Sequence, residues 1–159
     1  MTEDAELQRP AAVLFACNLN RVRSPMAEAL LRRMAGDRIF VDSCGLRRPS
    51  DGGVFAEADA ASQVDPLAAE VMAEVGCDLT DFRAKAFDDL QDESFDLVVS
   101  LTPEAQHRAV EMARGRAVRI EYWPIHDPTL EEGSREARLA AYRQVRDGLT
   151  ARIKARFPA

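Results

Sequence analysis

Four short apolar runs, each followed by a helical pattern, constrain this chain more than any other feature of its sequence. The runs cover residues 11–16, 39–42, 95–100 ("FDLVVS") and 117–121. Each is too short for a buried helix and is bounded by polar residues, so each reads as a strand. Ser24 can cap the first helix, with Pro25 in its first turn. Met26, Ala27, Leu30, Leu31 and Met34 then form an apolar face that stops at Gly36. Asp65 and Pro66 open a second helix carrying Leu67, Val71, Met72 and Val75, and Gly76 ends it. Thr102 caps a third helix with Pro103 at its first position, running to near Gly115. A fourth spans about 134–157, with Leu139, Tyr142, Val145, Leu149 and Ile153 along one side. Alternation of this kind favours a parallel sheet with helices on both faces, a three-layer α/β fold with four parallel strands. Ligands of such sheets sit at the carboxyl ends of the strands.

The rest of the chain is less regular. Residues 45–64 are rich in Gly, Asp, Ser, Ala and Arg and read as a surface loop, with a helical turn around Glu57. Residues 122–133 form a second loop. Residues 1–10 read as a flexible arm, and residues 11–159 as one domain, since a chain of 159 residues suits a single core. The net charge of −6, with acids and bases interspersed, argues against a nucleic-acid footprint. No apolar run approaches the roughly 20 residues of a membrane helix. The first ten residues lack the basic, apolar character of a signal peptide, which makes the cytoplasm the expected location. Cys17, Cys44 and Cys77 cannot all pair, and their spacing does not suit zinc. No metal or cofactor is called for.

The first strand ends at a cysteine, and the stretch that follows is "CNLNRVRSP". A loop between a strand and a helix gathers backbone N–H groups at one point, and the helix adds its own unpaired N–H groups and dipole. Such a site suits an anion. Cys17 lies at its base, where a thiolate would be stabilised. Arg23 can grip two phosphate oxygens in a planar fork. Ser24 can donate a hydrogen bond to sulfur. The set suits attack by sulfur on phosphorus, with Asn18, Leu19, Asn20, Arg21 and Val22 supplying the turn.

This string, with the strand before it and the helix after it, resembles the phosphate loop of the low-molecular-weight protein tyrosine phosphatases. The likeness extends through "VDSCG" at 41–45, "EVGCDLTDFRAKAF" at 74–87 and a late Asp-Pro. It implies a phosphotyrosine protein phosphatase I-like fold, a phosphocysteine intermediate, and a phosphorylated protein or small phosphate ester as substrate. Three departures stand out. Leu19 occupies a position where the family commonly has glycine, at a tight turn. Val22 replaces a cysteine that can protect the nucleophile as a disulfide. Phe82 replaces a histidine whose hydrogen bonds steady the loop asparagine, so Asn20 must be held otherwise.

Loss of a phenolic leaving group wants a nearby acid. Of the two Asp-Pro pairs, Asp65-Pro66 looks like a helix cap. Asp127-Pro128 lies in "YWPIHDPTLEEG", and the resemblance makes Asp127 the general acid. His126 reads as an ordinary loop residue. The cleft wall, often tyrosine in the family, has Thr129 and Leu130 here. Phe55, Tyr122 and Trp123 are aromatic candidates for that wall, although core packing suits Tyr122 and Trp123 equally. Arg21 adds charge at the rim. A related branch reduces arsenate with further cysteines beyond the third strand. The segment "VVSLTPEAQHRAV" has none. A weak or non-catalytic phosphate-binding regulatory protein on the same scaffold is the main alternative, with arsenate reduction, including a glutathione-assisted form, the lesser one. Phosphoarginine is a further candidate substrate, and the reading leans towards phosphotyrosine hydrolysis.

Overall fold

The computed structural model describes residues 10–47, 63–90 and 94–158. Four strands, β1 (Ala12–Cys17), β2 (Phe40–Gly45), β3 (Leu97–Ser100) and β4 (Arg119–Tyr122), alternate with helices α1 (Arg23–Ala35), α2 (Pro66–Ala73), α3 (Pro103–Ala113) and α4 (Arg135–Arg156). The strands form one parallel sheet in the order β2-β1-β3-β4. The α/β architecture read from the alternation is therefore the one adopted. Residues 1–9 of the expected arm and the turn expected around Glu57 lie outside the described residues, while Pro10 is buried.

Alternation of side chains along the strands builds two cores. Val13, Phe15, Leu97 and Val99 face one side, where they pack with Met26, Leu31, Val71, Met72, Leu139, Tyr142, Leu149 and Ile153 of α1, α2 and α4. Leu14, Ala16, Cys44 and Val98 face the other, against Ala105 and Ala109 of α3. The apolar stripe of α4 is the one read from its spacing, and all five of its members are buried.

Two helix starts follow their sequence signals. The Asp65 carboxylate accepts from the N–H groups of Leu67 and Ala68, and Thr102 Oγ1 accepts from the N–H of Ala105. The start of α1 differs. Val22 occupies the cap position without a side-chain cap bond, the helix begins at Arg23, and Ser24 lies inside its first turn. The strand order explains where a ligand would sit. From β1 the chain moves one way to β2, while β3 and β4 lie on the other side. The switch point is thus the gap at the carboxyl ends of β1 and β3, and Cys17 is the last residue of β1.

Candidate active site

The loop 17–23 is wrapped with its carbonyls turned outward. The carbonyl of Cys17 accepts from Leu46 N–H at 3.1 Å, that of Asn18 from Leu46 at 2.8 Å, that of Arg21 from Asp65 at 2.9 Å and that of Val22 from Met26 at 3.1 Å. In a trans peptide the N–H of the next residue points opposite to the carbonyl. The N–H groups of Asn18, Leu19, Val22 and Arg23 are accordingly directed away from these partners. Such a turn, followed by the N-terminus of α1, suits an anion.

The tight point of the loop is Asn20 and not Leu19. Asn20 has φ of 58°, the one positive φ outside glycine among the described residues. Asparagine tolerates this region better than most residues, so leucine at position 19 does not have to adopt it. The fully buried Asn20 side chain locks the turn. Its Nδ2 donates to Ser24 Oγ at 2.8 Å and to Ser43 Oγ at 2.9 Å, and its Oδ1 accepts from Lys85 N–H at 3.0 Å. These contacts replace the support that Phe82 cannot give. Phe82 instead packs at the margin of the larger core.

Donor counting gives this network a direction. Both Nδ2 hydrogens of Asn20 are used. Ser43 passes its own proton to Glu28 Oε1 at 2.7 Å. Ser24 Oγ accepts from Asn20 and shares a hydrogen bond with Cys17 Sγ at 2.8 Å, in which the hydroxyl donates when the sulfur is a thiolate. The carbonyl of Cys44 competes only at 3.4 Å. Ser24, read from sequence both as a helix cap and as a donor to sulfur, has the geometry of the second role alone. On the far wall Thr102 Oγ1 donates to Asn18 Oδ1 at 2.7 Å, so the residue that caps α3 also braces the loop.

Ser43, Gly45, Glu28, Lys85 and Thr102 were not singled out as site residues by the sequence. Gly45 is the last residue of β2, where it has no side chain to place against the loop. A Cβ there would lie 2.8 Å from Asn18 O and Leu19 C and 2.9 Å from Asn20 N, all backbone of the loop. Gly45→Ala should therefore displace the loop and cost about 1–3 kcal/mol, as overpacked sites do. Urea unfolding together with amide shifts of residues 18–20 would measure this. Unchanged stability and unchanged shifts would contradict the close approach.

Glu28 is 6% exposed, and burial holds its carboxyl above the usual range against the opposing pull of Ser43 and Arg32. Arg32 Nη1 stands 3.3 Å from Glu28 Oε2. A raised value means that the folded chain binds this proton more tightly than the unfolded one. The associated stability is full below the ordinary carboxyl range and is lost as pH rises through the raised value. Glu28→Gln should consequently gain stability relative to the unsubstituted chain between mildly acidic and neutral pH. Urea midpoints across that range would show it, and a difference independent of pH would contradict it.

The second component arrives from the loop after β4. Arg23 Nη1 donates to the carbonyl of Ile125 at 3.0 Å, and its Nη2 stands 3.9 Å from Asp127 Oδ2. Asp127 Oδ1 accepts from Thr129 N–H at 2.9 Å and from Thr129 Oγ1 at 2.6 Å. Arg23, at the end of the loop that Cys17 begins, is thus paired with Asp127. Not all of the candidate cleft residues join them. Trp123 is 4% exposed and packs in the core, its ring centroid 6.0 Å from that of Phe15 and its Nε1–H donating to Glu121. Trp123 follows the exposed Tyr122 at the end of β4 and turns to the opposite side, so it is core rather than wall. Tyr122 shares the face of Ile120, on the α3 side of the sheet, and is exposed. The Thr129 hydroxyl is turned back onto Asp127. Arg21 Nε donates to the carbonyl of Gln63 at 3.0 Å. Phe55 lies outside the described residues.

Comparison with known proteins bears directly on this arrangement. The model of the low molecular weight phosphotyrosine protein phosphatase family matches residues 12–157. The chain belongs to that family. Known proteins are similar to it in sequence and in fold. An arsenate reductase of Halalkalibacterium halodurans is 30% identical over 142 residues, covering 89% of this chain and 91% of that protein. A solved arsenate reductase in a phosphate-binding state has a TM-score of 0.69 at 26% identity, over 91% of this chain and 94% of its own. A low molecular weight protein tyrosine phosphatase from T. tengcongensis shares the fold with a TM-score of 0.69 at 24% identity, over 90% and 95% of the two chains. Phosphatases and arsenate reductases of the family therefore share this scaffold, and the site chemistry has to discriminate between them. No helix among the described residues is long and apolar enough to cross a membrane.

Proposed function

We propose that the protein hydrolyses phosphate monoesters through a phosphocysteine intermediate, with protein phosphotyrosine as the preferred substrate class. One observation carries this reading. A single loop holds the Ser24 hydroxyl on Cys17 Sγ at 2.8 Å, and Arg23 of the same loop stands 3.9 Å from Asp127. This geometry supports a reading in which Cys17 is the nucleophile, Arg23 the phosphate clamp and Asp127 the proton donor.

The loop N–H groups and Arg23 bind the three equatorial oxygens of the phosphoryl group and favour the charge they carry in transfer. Cys17 sulfur attacks phosphorus as the P–O bond breaks, and Ser24 supports the thiolate. The Asp127 carboxyl gives its proton to the departing phenolic oxygen. The resulting carboxylate then takes a proton from water as its oxygen attacks phosphorus and the S–P bond breaks. Cys17 returns to the thiolate. The protein supplies the positive field through backbone and guanidinium donors, and each step balances without a further reactant.

The names of the relatives make arsenate reduction the competing reading. Reduction through a chain of thiols requires a second sulfur within reach of the first. Cys17 packs in the core beneath α1, and Cys44 packs on the opposite face of the sheet with its thiol pushed well up by burial. Cys77 lines a cleft with Arg32 and Arg33. Those arginines lie nearly three turns along α1 from Arg23, about 13–15 Å at helical rise. This disposition favours ester hydrolysis. A panel of a phosphotyrosine peptide, phosphoarginine, p-nitrophenyl phosphate, and arsenate with a thiol reductant tests the reading. Highest kcat/KM is expected on the phosphotyrosine peptide. Arsenate reduction with no ester hydrolysis would overturn the proposal.

A further inference from the structure

Thr129 occupies a position where the sequence reading expected a wall for the substrate ring, and its geometry fits another task. It follows the Asp127-Pro128 pair in a single 3-10 turn over Pro128–Leu130. Both of its donors are spent on one oxygen. The N–H reaches Asp127 Oδ1 at 2.9 Å and the hydroxyl reaches the same atom at 2.6 Å. The other carboxyl oxygen, Oδ2, carries neither bond and faces the Arg23 guanidinium at 3.9 Å. The two oxygens of Asp127 are therefore chemically distinct before any substrate binds.

We infer that Thr129 is a positioning residue, whose hydroxyl fixes Oδ2 of Asp127 as the atom that gives and takes the proton. The inference rests on the phosphomonoesterase reading above and deepens it. A carboxyl oxygen that accepts two hydrogen bonds is poorly placed to carry a proton, since both of its lone pairs are engaged. In the acid form Oδ1 is thus the carbonyl oxygen and Oδ2 bears the hydrogen. In the carboxylate form Oδ1 keeps the same two donors. The carboxyl group therefore has no reason to rotate between the two half-reactions. The oxygen that protonates the departing group in the first step is the one that accepts the water proton in the second.

Backbone N–H alone would perform the structural duty of closing the turn. The hydroxyl adds orientation. Its removal should scatter the proton over both oxygens and weaken catalysis only where proton donation matters. p-Nitrophenolate leaves readily as an anion, whereas phenolate needs the proton. The ratio of kcat/KM for phenyl phosphate to that for p-nitrophenyl phosphate reads this role directly, and loss of fold or of phosphate binding lowers both rates together.

The experiment compares the unsubstituted chain, Thr129→Val, Thr129→Ser, Thr129→Ala and, as the control for turnover, Cys17→Ser on both esters, with melting temperatures to verify folding. Thr129→Val retains the N–H and the side-chain shape, so the turn should persist. The ratio is expected to fall about tenfold in Thr129→Val and to recover to within about twofold in Thr129→Ser. An unchanged ratio in Thr129→Val, or a loss not restored by serine, overturns the positioning role while leaving ester hydrolysis intact. Absence of any Cys17-dependent turnover in the unsubstituted chain overturns the phosphomonoesterase reading itself, and the Thr129 role falls with it. A melting temperature that collapses in Thr129→Val but not in Thr129→Ser, with the ratio unchanged in Thr129→Ala, would assign the hydroxyl to stability and likewise overturn the inference.

Discussion

Cys17→Ser is expected to lower turnover of every phosphate ester by at least about 10³-fold while leaving the fold and phosphate binding in place. The size of the effect follows from the chemistry of the two atoms. A serine hydroxyl is a far weaker nucleophile than a thiolate, and among the described residues the side-chain hydrogen-bond partner of position 17 is the Ser24 hydroxyl rather than a base. Ser24 is itself a neutral hydroxyl whose oxygen also accepts from Asn20, and it is too weak a base to take the proton. Binding should survive because it rests on other groups. The loop N–H groups belong to the backbone, and Arg23 is anchored on the carbonyl of Ile125. Isothermal titration with phosphate or vanadate and a melting curve would separate the two properties. A variant that binds and melts like the unsubstituted chain but does not turn over assigns the chemistry to the sulfur. A variant that retains substantial turnover excludes it.

Asp127→Asn should divide substrates by leaving group. On phenyl phosphate or a phosphotyrosine peptide the loss should reach about 10²–10⁴-fold, the usual value of a positioned proton donor. On p-nitrophenyl phosphate the first step should fall much less, since the departing anion is stable without a proton. The second step still lacks its base. Phosphocysteine should then accumulate, and p-nitrophenol should appear as a stoichiometric burst followed by slow turnover. Asparagine keeps an oxygen for the two donors of Thr129, so the turn itself is retained. Stopped-flow absorbance would resolve the burst. Equal losses on all esters with no burst would remove Asp127 from the proton transfer.

Much of this was legible in the sequence because it rested on periodicity and punctuation. Short apolar runs bounded by polar residues became strands, and Asp65 and Thr102 became caps because each precedes a proline at a helix start. The end of β2 was less legible. The sequence reading ends the strand at Asp42 and begins a loop at Gly45, yet Ser43, Cys44 and Gly45 extend the strand. Their small side chains suit the contacts they make, with Ser43 bonded to Asn20 and Glu28 and Gly45 pressed against the loop backbone. Such contacts depend on which strands become neighbours, and local pattern carries no record of that. The same limit applies to Lys85, whose role is a main-chain N–H and leaves no side-chain signature. Ser24 shows the opposite ambiguity. A serine before a proline fits a helix cap, and only the position of the sulfur reveals that its hydroxyl is used elsewhere. Trp123 and Tyr122 were undecidable in advance because adjacent residues at a strand end face opposite sides, and sequence does not say which side is the cleft.

Rapid acid quench during turnover of a phosphotyrosine peptide, followed by mass analysis of the chain, tests the covalent route most directly. The account predicts a phosphate on Cys17, more abundant in Asp127→Asn and absent in Cys17→Ser. Full turnover with no phosphate on Cys17 at any quench time would contradict it.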